Sequence, residues 1–336
     1  MEYTKPHLSF EAQLAKLTAR GLACDDAART LQVLRSVGYY RLSAYVYPFR
    51  ELLPSDEQMG VHYRSDSIRA GVSWKHVEDL WAFDRAFRLL CLDASEVIEV
   101  GIRTQLAYVL GARDPFGHMN PQSLDAAMCE RQYANRTAFD SWCERYRELR
   151  DGAKSEDYVK HHLVTYSESE VPIWVAVEFL SFGAVTRLFS LMRVEDQNEV
   201  ARAVGVSSGG KLHAFLLTAG YVRNLCAHHS RLWNRRLTMT LPKFYGTEVG
   251  PDLAHLAGRP LAPKIYSALA IMAYLVRNIA PQADWARRAR ERVGKFPDVP
   301  YLSAEVDMGF PAGWAMQPLW HDPPRGEGYS LPPRRK

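Results

Sequence analysis

Apolar positions recur every three or four residues along most of this chain, the period of a helix with one buried face. The longest such stretch is 74-WKHVEDLWAFDRAFRLLCLDASEVIEVGIRTQLAYVL-110. There Leu80, Phe83, Phe87 and Leu90, then Val97, Ile98 and Ile102, form the stripe, and Ser73 is placed to open the helix. Shorter stretches of the same period lie near 124–150, 172–193, 196–205, 211–229 and 263–280. Residues 9–37 predict a helical hairpin: Ser9 caps its first arm, Gly21 ends it, Asp25 or Asp26 opens the second arm and Gly38 ends that. Two regions leave the helical period. The segment 39-YYRLSAYVYPFR-50 alternates and is aromatic, so it predicts a strand or an extended run. Residues 51–72 carry loop signals and one short strand. From Phe296 onward proline is frequent, and that tail is expected to wrap the surface or be partly disordered. The pattern predicts a mainly α protein. It divides into a small N-terminal helical module with a short strand or extended segment (1–60), a helical-bundle domain (61–295) and a Pro-rich tail (296–336).

Composition narrows the picture. A hydrophobic share of 47% with 24% charged residues is that of a globular chain. The net charge is only +4, so nucleic-acid binding would have to come from local patches rather than a global field. The five cysteines are scattered singly, with no C-x-x-C pair, which argues against a zinc site or disulfide framework and fits a reducing cytoplasmic setting. The opening MEYTKPHLSF lacks the apolar region of a secretory signal. The most apolar run, 265-IYSALAIMAYLV-276, falls short of the ~20 residues needed to span a bilayer and predicts a core helix.

The chemistry concentrates in 221-YVRNLCAHHSRLWNRR-236. At about 100° per residue, Asn224 and His228 share a helix face, whereas Arg223 points about 140° away from His228. Arg223 therefore needs its long stem to act on the same atom. The arginine fork matches phosphate oxygens, and imidazole exchanges protons near neutrality. Arg, Asn and His without a carboxylate cage suit cleavage of RNA, whose 2′-OH is a built-in nucleophile; the protein then supplies proton transfer and charge stabilisation, without metal or cofactor. Cations at a helix C-terminus are also favoured by the macrodipole alone, so the spacing by itself is weak. A second fit, 113-RDPFGH-118, contains Pro115 and Gly117 and predicts a loop.

Other residues enter as candidates. Glu178, a carboxylate in an apolar helix, is placed to pair Arg223 or orient a histidine. Glu99 and Arg103 stand i,i+4 and predict a salt bridge. The His161-His162 doublet with Lys160 falls in a predicted loop. Tyr39, Tyr40, Arg41, Tyr45 and Tyr47 mix aromatics with a cation, which suits either base stacking or packing. Arg41, Tyr40, Arg235 and Arg236 are candidate RNA contacts. Arg287, Arg288, Arg290, Arg292 and Lys295 make the densest basic run.

RNLCAHHSRLWNR closely resembles the RNxCAHHxRLWNR core of the Abi-like family, the AbiD/AbiF type of bacterial abortive-infection proteins. KPHLSFEAQLAKLTARGL, VGYYRLSAYVYPFR, the long 74–110 helix, PIWVAVEFLSFGAVTRLFSLM and MGFPAGWAMQPLW look like that family too. The resemblance implies a HEPN-type helical bundle whose Arg-polar-x-x-x-His motif forms a metal-independent RNase site. On that motif Arg223 is the arginine, Asn224 the polar residue and His228 the histidine, with His229, Arg231 and Asn234 belonging to the extended version. His229 offers the alternative five-residue gap. The resemblance further implies a homodimer in which two motifs face each other, an RNA substrate, a part in phage defence or as a toxin, and restraint by an RNA or protein antitoxin.

Overall fold

A computed structural model describes residues 6–60, 63–133, 135–166, 170–245, 250–258 and 261–321. The protein is mainly helical. The predicted N-terminal hairpin is present as α1 (Phe10–Ala19) and α2 (Ala27–Val37). Ser9 and Asp26 accept from the N–H groups of Ala12 and Arg29, and Gly21 and Gly38 take positive φ at the two ends.

The segment predicted as a strand is instead α3 (Tyr39–Val46), continued by a 3-10 turn at Tyr47–Phe49. Its buried Leu42, Tyr45, Val46 and Phe49 are spaced at three, four and seven, with Pro48 buried beside them. The apparent alternation of aromatics thus masked a helical period, and tertiary burial chose between the two. A short antiparallel pair follows, β1 (Arg50–Leu52) with β2 (Arg64–Ile68).

The long apolar stripe is one helix, α4 (Trp74–Arg113), of 40 residues. At ~1.5 Å per residue it runs about 60 Å and is the spine of the molecule. The region expected as one helix over 124–150 is α5 (Ala126–Glu130), a small hairpin of β3 (Gln132–Tyr133) and β4 (Arg136–Thr137), and α6 (Ala138–Gly152). A fresh capping box at Thr137 and Asp140 starts α6. His161 and His162 lie not in a loop but on α7 (Asp157–Tyr166), where His162 packs on Tyr166. The 172–193 stretch divides at Ser181, which caps a new helix, giving α8 (Ile173–Phe179) and α9 (Phe182–Leu191). Then come α10 (Val194–Ala203) and α11 (Gly209–Ala227), which carries the Arg/His motif at its C-terminus.

α12 (Ile265–Ile279) is buried at every position from Ile265 to Val276. It lies close against the spine at Gly101, where a Cβ would come within 2.4 Å of Ile279 Cγ2. Among the described residues no helix is long and apolar enough to cross a membrane. α13 (Trp285–Gly294) and the short α14 (Ala304–Met308) complete the bundle.

The C-terminal segment is more than a surface wrap. Phe310, Trp314, Leu319 and Trp320 are buried, and Trp314 and Trp320 pack edge to face at 5.4 Å. The expected tail beyond His321 lies outside the described residues. The core is continuous from Leu17 to Trp320, across both 60/61 and 295/296.

Candidate functional site

The motif sits where α11 ends. The end is closed by a Schellman arrangement: the His229 N–H donates to Cys226 O at 3.0 Å and the Ser230 N–H to Leu225 O at 2.9 Å. The residue in the left-handed position of this closure is usually glycine; here it is His229, at φ 55°. His228 caps the helix, and its N–H donates to Asn224 O at 3.0 Å. Asn224 and His228 are both exposed, one turn apart on the same face. The Arg223 guanidinium reaches round and donates to Asn224 Oδ1 at 3.3 Å. The long stem thus brings the guanidinium to Asn224, on the face that His228 shares.

Two arginines clasp this helix end to α3. Arg41 donates to the His229 carbonyl at 2.7 Å, and Arg231 donates to the Ala44 carbonyl near the end of α3 at 2.6 Å. Burial lowers the Arg231 pKa, opposed by Tyr45 and Asp84 nearby. Arg41, expected as an RNA contact, therefore already holds the backbone of the motif.

Beneath the clasp lies a carboxylate that sequence reasoning missed. Asp84, wholly buried on α4, accepts from the Tyr45 hydroxyl at 2.6 Å, from Arg88, and from the backbone N–H groups of Leu232 and Trp233 at 3.2 and 2.8 Å. Burial pushes the Asp84 carboxyl up, and Arg88, Tyr45 and the two backbone donors pull it back. Burial beside a carboxylate pushes the Tyr45 phenol up, so it remains a donor. The signal was present: 84-DRAFR-88 puts an i,i+4 Asp/Arg pair inside an otherwise apolar stripe.

The other predicted residues separate. The Tyr221 hydroxyl bonds Thr238 at 3.1 Å, with Arg235 close enough to help lower its pKa against the opposing effect of burial. Arg236 and Tyr40 are exposed, Tyr40 at 92%. Asn234 turns Oδ1 inward, where it has no hydrogen-bond partner. Glu178 does not join the site: it lines a groove of about 520 Å³ between α4 and α8 with Arg103 and Trp174, and no hydrogen bond or ion pair links it to Arg223. Arg103 instead bonds Glu99, as the spacing predicted, and also the Leu180 carbonyl, each at 2.6 Å. Of the tyrosine cluster, Tyr39 accepts from Arg20, Tyr45 serves Asp84 and Tyr47 packs on Tyr63. Among the described residues no group of three His, Cys, Asp or Glu side chains is arranged to hold a metal.

The second Arg/His spacing is structural. Arg113 pairs with Asp196 at 2.7 Å, and Asp114 accepts from Asn120 and Ser123. His118 is fully buried against Tyr146. Burial pushes its pKa down to about 4, from an ordinary 6.5. The fold therefore holds His118 neutral, while the unfolded chain takes up a proton below about 6.5. Stability is full above that pH and declines as pH falls toward 4, by up to ~1.4 kcal/mol per pH unit from this one group. Urea unfolding at pH 7 and pH 5 should show the loss, and His118→Phe should remove about 2 kcal/mol of it. An unchanged pH 5 to 7 difference in that variant would assign the loss to other groups.

Residues 32–234 match the family described as Abi-like protein. The chain belongs to the Abi-like family. Membership supports a part in abortive infection, the defence of a bacterial cell against phage. In this Abi-like protein the matched stretch opens within α2 and closes on Asn234. It thus holds the clasp, the Asp84 network and the Arg/His motif, and leaves α12, α13 and the aromatic C-terminal segment outside. No curated protein and no solved structure matches the chain.

Proposed function

We propose that this Abi-like protein is a metal-independent endoribonuclease, of the HEPN type, acting in phage defence. One observation carries the reading. Arg223 bonds Asn224, which shares an exposed face with His228 at an open helix end, and the buried Asp84 network and the two-arginine clasp spend several hydrogen bonds on fixing that end. Arg223 would hold the phosphate oxygens as charge builds in the transition state, with Asn224 fixing the direction of the guanidinium. His228 would take the 2′-OH proton or deliver one to the leaving 5′ oxygen. The chain carries one motif suited to this work, so a second copy facing the first would complete the site with its own arginine and histidine.

The products would be 2′,3′-cyclic phosphate and 5′-OH ends. Incubating purified protein with total RNA in EDTA, followed by 5′-phosphorylation with and without prior phosphatase, tests this. RNA fragments that accept label without phosphatase are expected; intact RNA, or fragments with 5′-phosphate, would overturn it.

His228, rather than His229, is the histidine of this reading, because it shares a face with Asn224 while His229 is turned into the left-handed closure. His229→Gly removes the strain of a side chain at positive φ and should stabilise the fold by up to ~1 kcal/mol, read from the urea midpoint. Cleavage should stay within several-fold of wild type. A loss as deep as that of His228→Ala would transfer the role to His229.

A further inference from the structure

Beside the motif, on the far side of His229, a hollow of about 430 Å³ opens between α2, α3, α4 and the end of α11. That volume lies within the ~300–1,000 Å³ of small-ligand sites. Its walls combine two chemistries. Trp81, Leu89 and Leu92 give an apolar side, with Leu89 half exposed. Arg41, Arg85 and Arg88 give a cationic side, and no carboxylate lines the space. Arg88 is neutralised from behind by Asp84. Arg41 uses one donor on the His229 carbonyl, and a guanidinium has five. Arg85 is exposed and forms no ion pair or hydrogen bond among the described residues. The hollow therefore presents two available arginines facing a half-buried indole.

We infer that this hollow is a nucleotide subsite of the RNA path. It takes a base against Trp81 and Leu89 and the attached phosphate on Arg41 and Arg85, one nucleotide away from the bond at His228. The inference rests on the ribonuclease reading for its placement, since His229, at the rim, is the chain neighbour of His228. A flat π-face accepts any base, so the subsite gives grip and register rather than sequence preference. Leu89 is also the ridge of a second hollow of about 470 Å³. Asp93 and Glu291 line it together with Arg288, Arg292 and Lys295, and Arg292 and Lys295 carry no ion pair among the described residues, so two available cations continue along α13. Arg287 and Arg288 of the same run are instead committed to Asp284, Glu291 and Asp93.

The test uses a 2′-O-methyl hexaribonucleotide, which lacks the nucleophile and so reports binding without cleavage. Trp81→Ala should weaken its binding about 10-fold, and Trp81→Phe should restore most of that. Arg85→Ala should weaken it to a similar degree and lower the salt slope by about 1. On cleavable RNA, Trp81→Ala should raise KM and leave kcat unchanged. Thermal midpoints taken alongside separate these effects from unfolding, and Arg85, being exposed, carries the test if Trp81→Ala fails to fold. A Kd and KM within twofold of wild type in folded Trp81→Ala and Arg85→Ala would overturn the subsite even where Arg223→Ala had abolished cleavage. Loss of hexamer binding in the variants, without cleavage by any form, would keep the subsite and reject the nuclease. Tighter binding of a nucleoside 5′-monophosphate than of the hexamer would make the hollow a site for a free nucleotide and overturn its place on the RNA path.

Discussion

Arg223→Ala and His228→Ala should each reduce RNA cleavage in EDTA by at least a hundredfold and leave the fold as stable as before. For the histidine, loss of general acid–base catalysis removes about 10²–10⁴-fold. For the arginine, loss of a positioned charge at the transition-state oxyanion removes about 10²–10³-fold. Neither side chain supports the interior. His228 is exposed, and the helix closure uses its backbone N–H, which alanine retains. Arg223 gives up only a bond to Asn224 on the exposed surface. Surface changes of this kind lie within about 0.5 kcal/mol, so thermal midpoints should not move measurably. Arg223→Lys keeps the charge but not the two-pronged fork and should recover only part of the rate. If two subunits complete one site, mixing the Arg223→Ala and His228→Ala proteins should restore part of the activity that each lacks alone. Wild-type cleavage by both folded single variants would end the nuclease assignment to this helix end.

How far the sequence reached can be judged residue by residue. The spine was legible because forty residues of helical period leave little competition from other patterns, and the caps at Ser9 and Asp26 announced themselves by type. The motif was legible as a set of residues but not as an arrangement. Helix spacing sets Arg223 apart from His228, and it does not reveal that the Arg223 side chain reaches Asn224. α3 was misread because both faces of 39-YYRLSAYVYPFR-50 carry large aromatics, so alternation and helical period fit equally well until burial decided. Glu178 reads as partnered because it is a carboxylate in an apolar helix, yet it lines a groove between α4 and α8. Asp84 was passed over because its neighbours Phe83 and Phe87 define the stripe so strongly. Its partners Leu232 and Trp233 lie 148 and 149 residues away, and no local pattern connects them.

That distant connection predicts the largest loss of stability. Asp84→Ala leaves the Arg88 guanidinium buried without its counter-charge and strips an acceptor from the Tyr45 hydroxyl and from the N–H groups of Leu232 and Trp233. Breaking a buried pair from one side costs about 3–5 kcal/mol. With an unfolding entropy of about 2.1 cal/mol/K per residue, a chain of 336 residues should lose about 4–7 °C in Tm. The paired change Asp84→Leu with Arg88→Met removes both charges at similar volume, so it should cost less than the single variant. What remains in the paired variant is the loss to the Tyr45 hydroxyl and to the two backbone donors, and the donors are where structure meets function. Those donors fix the segment directly after the histidines, and Arg231 in the same segment grips α3. At a temperature where the paired variant is fully folded, cleavage should therefore still fall, because the clasp is intact but the turn it holds is no longer anchored from below. A single variant as stable as wild type would mean that Asp84 is not the anchor; a folded paired variant with full activity would mean that the motif holds its geometry without it.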